Sequence, residues 1–293
     1  MRIVAPIIIS TAAGTLQSTN VDTSADPAAW AAGTYALGDR RTHQDYIWES
    51  VEAANTQEPG TGDKWAQVEP TNQLAMFDRR IGTQTVFEDG IVVEVEPGEV
   101  VDTVSFRNVD ASTITLEQED PVAGVVYPAQ TQNMVEPVGD WWEYLYYPIV
   151  RKTEAIFTGL LPYRNAVITA TIAAPGGDAK CGLMTVGLAY EPGDAQDGAS
   201  DGIEDYSVIR PDQFGIRDIV ERDYSDDAEL TVWVPWAESA RFRRVLTERR
   251  AQPTLVVLAD NLPHAQYYGL ISFRRIFQYY GMDVFNLTVK GFT

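Results

Sequence analysis

Residues 91–120 read IVVEVEPGEVVDTVSFRNVDASTITLEQED, and the reading of that stretch decides the fold. Runs rich in Val, Ile and Thr, none longer than a strand, are separated by turn signals such as Pro97-Gly98, the pattern of short antiparallel strands. The texture extends both ways: TQTVFEDG precedes it, and GVVYP, WWEYLYYPIV, EAIFTGL and AVITATIAAPGG follow. Strands of this length at regular spacing, with no βαβ alternation, predict an antiparallel β-sandwich over 73–180 and an all-β protein.

Further on, 181–293 reads as a β-rich tail-assembly domain with one packed helix. CGLMTVGLAY, AELTVWVPW, TLVVLAD, QYYGLISF and DVFNLTVKGF have strand composition. In AESARFRRVLTERRA, Phe242, Val245 and Leu246 fall at i, i+3 and i+4 with Arg and Glu elsewhere, which predicts an amphipathic helix near 237–251. Glu238 near its start and Arg249 and Arg250 near its end suit the helix dipole, and Pro253 marks the exit. The acidic stretch 191–205 carries Asp194, Asp197, Asp201, Glu204 and Asp205. These are hard donors of the kind that hold Ca²⁺, but their spacing is not that of an EF-hand. A solvated loop is expected there, and no metal site is assigned.

WWEYLYYPIV, read as a strand, puts Trp141 and Trp142 on opposite faces, with Tyr144 and Tyr146 sharing the Trp142 face. One face is expected in the core and the other in an intermolecular contact, where aromatics concentrate.

The composition sets outer bounds. A chain of 293 residues that is 45% hydrophobic and 22% charged builds a full core. A net charge of −20 argues against nucleic acid and against anionic lipid. One cysteine, Cys181, permits no intrachain disulfide, and two histidines, His43 and His264, are too few for a His-rich zinc site. No G-x-S-x-G, H-E-x-x-H or Walker-type loop occurs, and carboxylates are too abundant to single out a pair. No catalytic residue and no cofactor is assigned, and a non-enzyme is expected. The opening MRIVAPIII is β-branched and interrupted by Pro6, a strand and not a signal peptide, and nothing approaches the length of a membrane span.

Between an N-terminal strand and link (1–26) and the sandwich lies 27–72, with Trp30, Tyr35, Tyr46, Trp48 and Trp65 crowded into it and a hairpin-type turn signal at Gly38-Asp39. Trp30, Tyr35, Gly38, Asp39, Trp48, Pro59 and Trp65, in that order and spacing, resemble the chitin-binding type of carbohydrate-binding module found on chitinases and cellulases. The resemblance implies three short strands that display aromatics for stacking on sugar rings. It makes Tyr35 and Trp48 the sugar-facing rings and Trp30 and Trp65 the module core. Where the family ends on a Trp-Trp pair, this chain has Lys64-Trp65, so Lys64 occupies the sugar-facing position.

A second resemblance spans nearly the whole chain. The MRIVAPIII start, the inserted module, GIEDYSVI, DQFG, VERDYSDDAELTVWV and LTVKGFT, clearest over 203–234 and 284–293, are similar to structural proteins of tailed bacteriophages. That implies a virion protein of the distal tail or tail tip, made in the host cytoplasm and assembled in several copies with other tail proteins. Its module would face host polysaccharide. The rivals are a secreted glycan-binding accessory protein and a pure assembly scaffold that never meets sugar.

Overall fold

The computed structural model describes every residue except 138, 147, 149, 194, 197, 212–216, 260–264, 278–280 and 293, and all side chains of the rest except Glu143. The chain is mostly antiparallel β. Its first part comprises β1 (Arg2–Pro6), β2 (Leu16–Thr19), β3 (Arg40–His43), β4 (Tyr46–Ser50), β5 (Trp65–Pro70), β6 (Thr85–Val95), β7 (Thr103–Asp110), β8 (Thr113–Asp120), β9 (Gly124–Asn133), the helix α1 (Trp141–Tyr146) and β10 (Glu154–Thr158). There follow β11 (Val167–Tyr190), β12 (Ser200–Asp205), β13 (Val208–Pro211), β14 (Arg217–Val220), β15 (Tyr224–Pro235), α2 (Trp236–Glu248), β16 (Thr254–Val257), β17 (Gln266–Phe277) and β18 (Met282–Gly291). These make two compact units, one of residues 7–185 and one of 1–6 with 186–293. Among the described residues no helix is long and apolar enough to cross a membrane.

In the unit 7–185, the first half of β11 lies between β6 and β8, Ile168 standing opposite both Val95 and Gln118. β2 extends this ladder beyond β6, and β9 extends it beyond β8. The register with β6 breaks between Ala173 and Asp178, where Gly176 takes φ +76° and donates its N–H to Asp89 at 2.8 Å. Past the break β11 continues beside the start of β6 and beside β7, which β10 flanks. Two long strands thus change ladders at one bend, as strands do at the corners of packed sheets. Burial alternates along two of these strands: Ile91, Val93 and Val95 of β6 and Ile114 and Leu116 of β8 are buried, while their neighbours are partly wet. Arg107 of the buried β7 ion-pairs with Glu154 at 2.8 Å. Cys181 is fully buried, and burial pushes its thiol up to about 12. We therefore expect a thiol reagent at pH 8 to label the folded chain no faster than it unfolds, and denatured chain within seconds. Fast native labelling would contradict the packing around β11.

The main sheet of the other unit runs in the order β11 (its last residues), β1, β16, β17, β18, β15, β12. β1, expected to stand with the link to residue 26, is instead an interior strand here, Ile3 pairing with Tyr190 on one side and Val256 on the other. Its β-branched sequence suits a strand buried between neighbours. Alternate residues of β15 and β18, among them Leu230, Val232, Phe285 and Leu287, form a core with Ile3 and Val256. α2 covers that face through Phe242 and Leu246, and the Phe242 ring meets Phe285 edge-on at 4.8 Å. Val245, the third apolar position of the predicted stripe, is only half-buried. The helix ends at Glu248, earlier than predicted, so Arg249 caps it and Arg250 lies past it; Ala251 turns the chain away with φ +59°. The solvated loop expected over 191–205 is corrected in its second half. Ser200–Asp205 is a strand paired with β15 from Glu229 to Tyr224, because an unfilled edge of β15 was available to it. Asp194, Asp197 and His264 lie outside the described residues.

Candidate functional site

Two places in the unit 7–185 collect the residues that sequence reasoning singled out. The first is the three-stranded sheet β3–β4–β5. Its small size is offset by specific contacts. Tyr35 exchanges both backbone hydrogen bonds with Asn55, whose buried side-chain amide donates to Ser50 Oγ and to the Lys64 carbonyl. Trp65 is 5% exposed, its indole N–H donates to the Gln57 carbonyl at 2.7 Å, and Tyr35 meets it edge-on at 5.3 Å. Trp30 is half-buried with its ring edge toward His43 at 5.6 Å.

Tyr35 is therefore not a sugar platform. It is 8% exposed, its hydroxyl donates to the Ala31 carbonyl, and Arg41 lies over its ring at 5.0 Å. A ring covered on one face and edge-packed against Trp65 has no free surface for a pyranose. Trp48 is half-buried, with its N–H on the His43 carbonyl and its six-membered ring beside Gly60. Lys64 is half-buried and ion-pairs with Glu52 at 2.9 Å. The turn at Gly38-Asp39 forms but leads into β3; the β3–β4 hairpin closes at Gln44-Asp45, where Gln44 takes φ +53°. The ring of the module that lies open is one the family pattern did not single out: Tyr46, on the rim of a cleft of about 310 Å³ lined also by Ile8, Phe77, Asp45, Asp78 and Arg79. Burial raises the Asp78 carboxyl above the ordinary range, against hydrogen bonds from Thr83 and the Arg80 N–H. Arg79 is exposed and holds φ +71°.

The second place is α1. The predicted strand is a six-residue helix, a correction with a local cause. Backbone pairing at the base of the excursion, with Val135 opposite Arg151 and the Glu136 N–H on the Val150 carbonyl, stops short of it. Among the described residues no strand lies alongside to take the backbone hydrogen bonds of 141–146, so they close within the helix. The rings then pair along the helix and not across a strand: Trp141 with Tyr144 at 6.0 Å, and Trp142 with Tyr146 at 4.2 Å. All four are open to solvent, as is Leu145, at exposures from 65 to 80%. The half of the strand reading that put one face in the core does not describe them. Leu145 escaped the sequence reading, which weighed only the rings of this stretch. The closeness of rings at both i+3 and i+4 was the available signal for a helix.

No protein-family model matches this chain, and no curated protein matches it. Among solved structures, one chain in the tail of an empty GTA particle, determined by helical refinement in C6 symmetry, is similar at 14% identity over 36% of this chain and 84% of that one, with a TM-score of 0.25. A superposition that loose carries no argument about fold or role.

Proposed function

We propose that this chain is a non-catalytic structural protein of a tailed-phage virion, built into the tail in several copies and joined to other tail proteins through exposed aromatic surface. The observation that carries the reading is α1: five large apolar side chains, each at least 65% exposed, on a six-residue helix. Chains that work alone rarely leave so much apolar surface in one place, and buried aromatics dominate the energetics of protein contacts. The tail assignment rests on the sequence resemblance over 203–234 and 284–293. A charge of −20 disfavours contact with DNA.

The test is incorporation into particles. A Trp141→Ser, Trp142→Ser variant is expected to melt within about 0.5 kcal/mol of the parent, because both rings are already wet. It is expected to be depleted at least tenfold from purified tails. Normal incorporation of the folded variant removes α1 as the contact, and absence of the parent chain from particles removes the virion reading.

A second reading, that the module faces host polysaccharide, is favoured by the Tyr46 cleft, which places an open ring beside two carboxylates and a free guanidinium. Such groups suit a polyhydroxyl ligand: the ring takes the apolar C–H face and the charged groups take the hydroxyls. One contact of this size binds at ~mM, and several copies on one particle raise that by ~10² through avidity. Depletion by insoluble chitin and by host envelope material, lost in Tyr46→Ala and also weakened in Trp48→Ala, is the expected result. Equal retention of parent and variants, or none of either when multimerised, leaves the scaffold role alone.

A further inference from the structure

The unit formed by 1–6 and 186–293 carries two charged surfaces of opposite sign that no described residue of the same chain pairs. One is the outward side of α2 and the turn after it. Arg243, Arg244 and Arg250 are exposed, Arg249 is half-buried, and none of the four makes an ion pair or hydrogen bond through its side chain with its own chain. In a chain with 22 basic and 42 acidic residues, four unpaired arginines within eight positions are a concentrated cationic face.

The other surface is the edge strand β12 and the hairpin β13–β14. β12 has no strand on its outer side, and all six of its residues are exposed. β13 and β14 pair only with each other, as a two-stranded sheet. The described part of this arm exposes Asp201, Glu204, Asp205, Asp218, Glu221 and Asp223, against Arg210, Arg217 and Arg222. It also exposes Ile203, Ile209 and Ile219, each more than half open, together with Tyr206 and Tyr224. A lone hairpin is marginal in water, and an exposed edge strand is a template for contact. This arm has the chemistry of something that packs elsewhere.

We propose that the occupant of the arginine face of α2 is the acidic arm of a second copy of this chain. Carboxylates of the arm meet the guanidinium groups, while the arm's Ile and Tyr side chains lie along the aliphatic stems of the arginines. Like net charges repel the copies as wholes, so the two complementary patches select one orientation. Because the surfaces are unlike, the contact propagates from copy to copy until it closes on itself. This deepens the assembly reading above and rests on it.

A charge swap in the full chain, followed by sedimentation velocity, tests the contact. One variant carries Arg243→Glu and Arg244→Glu, the other Glu204→Arg and Asp218→Arg; all four side chains are exposed, so both are expected to melt like the parent. The parent is expected to self-associate in low salt and to dissociate by about 0.5 M salt. Each variant alone should associate about tenfold more weakly or worse, and an equal mixture should recover the parent's association. A parent that is monomeric at every salt concentration overturns the proposal. So does a mixture that does not recover. Loss in the arginine variant alone also overturns it, and moves the contact of α2 to a different acidic surface of the second copy. Particle content, read separately by mass spectrometry of purified tails, decides the virion reading whichever way the swap falls.

Discussion

Replacing Asp283 by alanine is expected to cost about 3 kcal/mol and to lower the melting temperature of its unit by about 10 °C. Asp283 is 1% exposed at the start of β18, under the first turn of α2. It accepts a hydrogen bond from the fully buried Ser239 hydroxyl and an ion pair from Arg275, whose Nε approaches to 3.0 Å. Arg275 in turn lies over the rings of Phe277 and Phe285, at 4.3 and 5.8 Å. Removing the carboxylate leaves a buried hydroxyl and a guanidinium without their acceptor. The Arg275 side chain keeps some access to water, which holds the cost to the lower end for a broken buried pair. Asp283→Asn keeps an acceptor for Ser239 and is expected to lose less than half as much. Calorimetry of the two variants checks this: equal losses would mean that the charge carries the whole effect and that the acceptor and the volume kept by asparagine contribute nothing.

Trp65→Ala is expected to unfold the β3–β4–β5 module while leaving the rest of the chain folded. Trp65 is the ring on which Tyr35 packs and the donor that fixes the Gln57 loop. Truncating a buried Trp typically costs 3–5 kcal/mol, which exceeds what a sheet of three short strands holds in reserve. Limited proteolysis should cut within 27–72 and spare a fragment from about 73 to the C-terminus. Trp48→Ala, at a half-buried ring, should leave the module resistant. Resistance of the Trp65 variant would show that the module is held by its surroundings and not by its own core.

The sequence was most informative where burial is periodic. The Val-, Ile- and Thr-rich runs between turn signals in 91–120 placed β6, β7 and β8, and the i, i+3, i+4 spacing placed α2. It was least informative where a residue's role depends on what lies across from it. Tyr35 and Tyr46 have the same chemistry eleven positions apart, yet one is edge-packed on Trp65 and the other borders a cleft. Trp141 to Tyr146 have strand composition, and they coil because no strand among the described residues lies alongside.

The sequence by itself determined that this protein is all-β, that a small aromatic-rich sheet precedes the larger sheets, and that one helix covers the C-terminal one. The first and the last follow from local spacing, because which side of a strand or helix meets water is written in its own period; the small sheet is what the resemblance over Trp30 to Trp65 implies. Tertiary structure alone decided that β1 joins the C-terminal sheet, that Ser200–Asp205 fills the edge of β15, and that the arginines of α2 stay unpaired. Strand partners and ion-pair partners are chosen across long separations by which edges and charges remain unfilled once the rest of the chain has packed, and no local period records that choice.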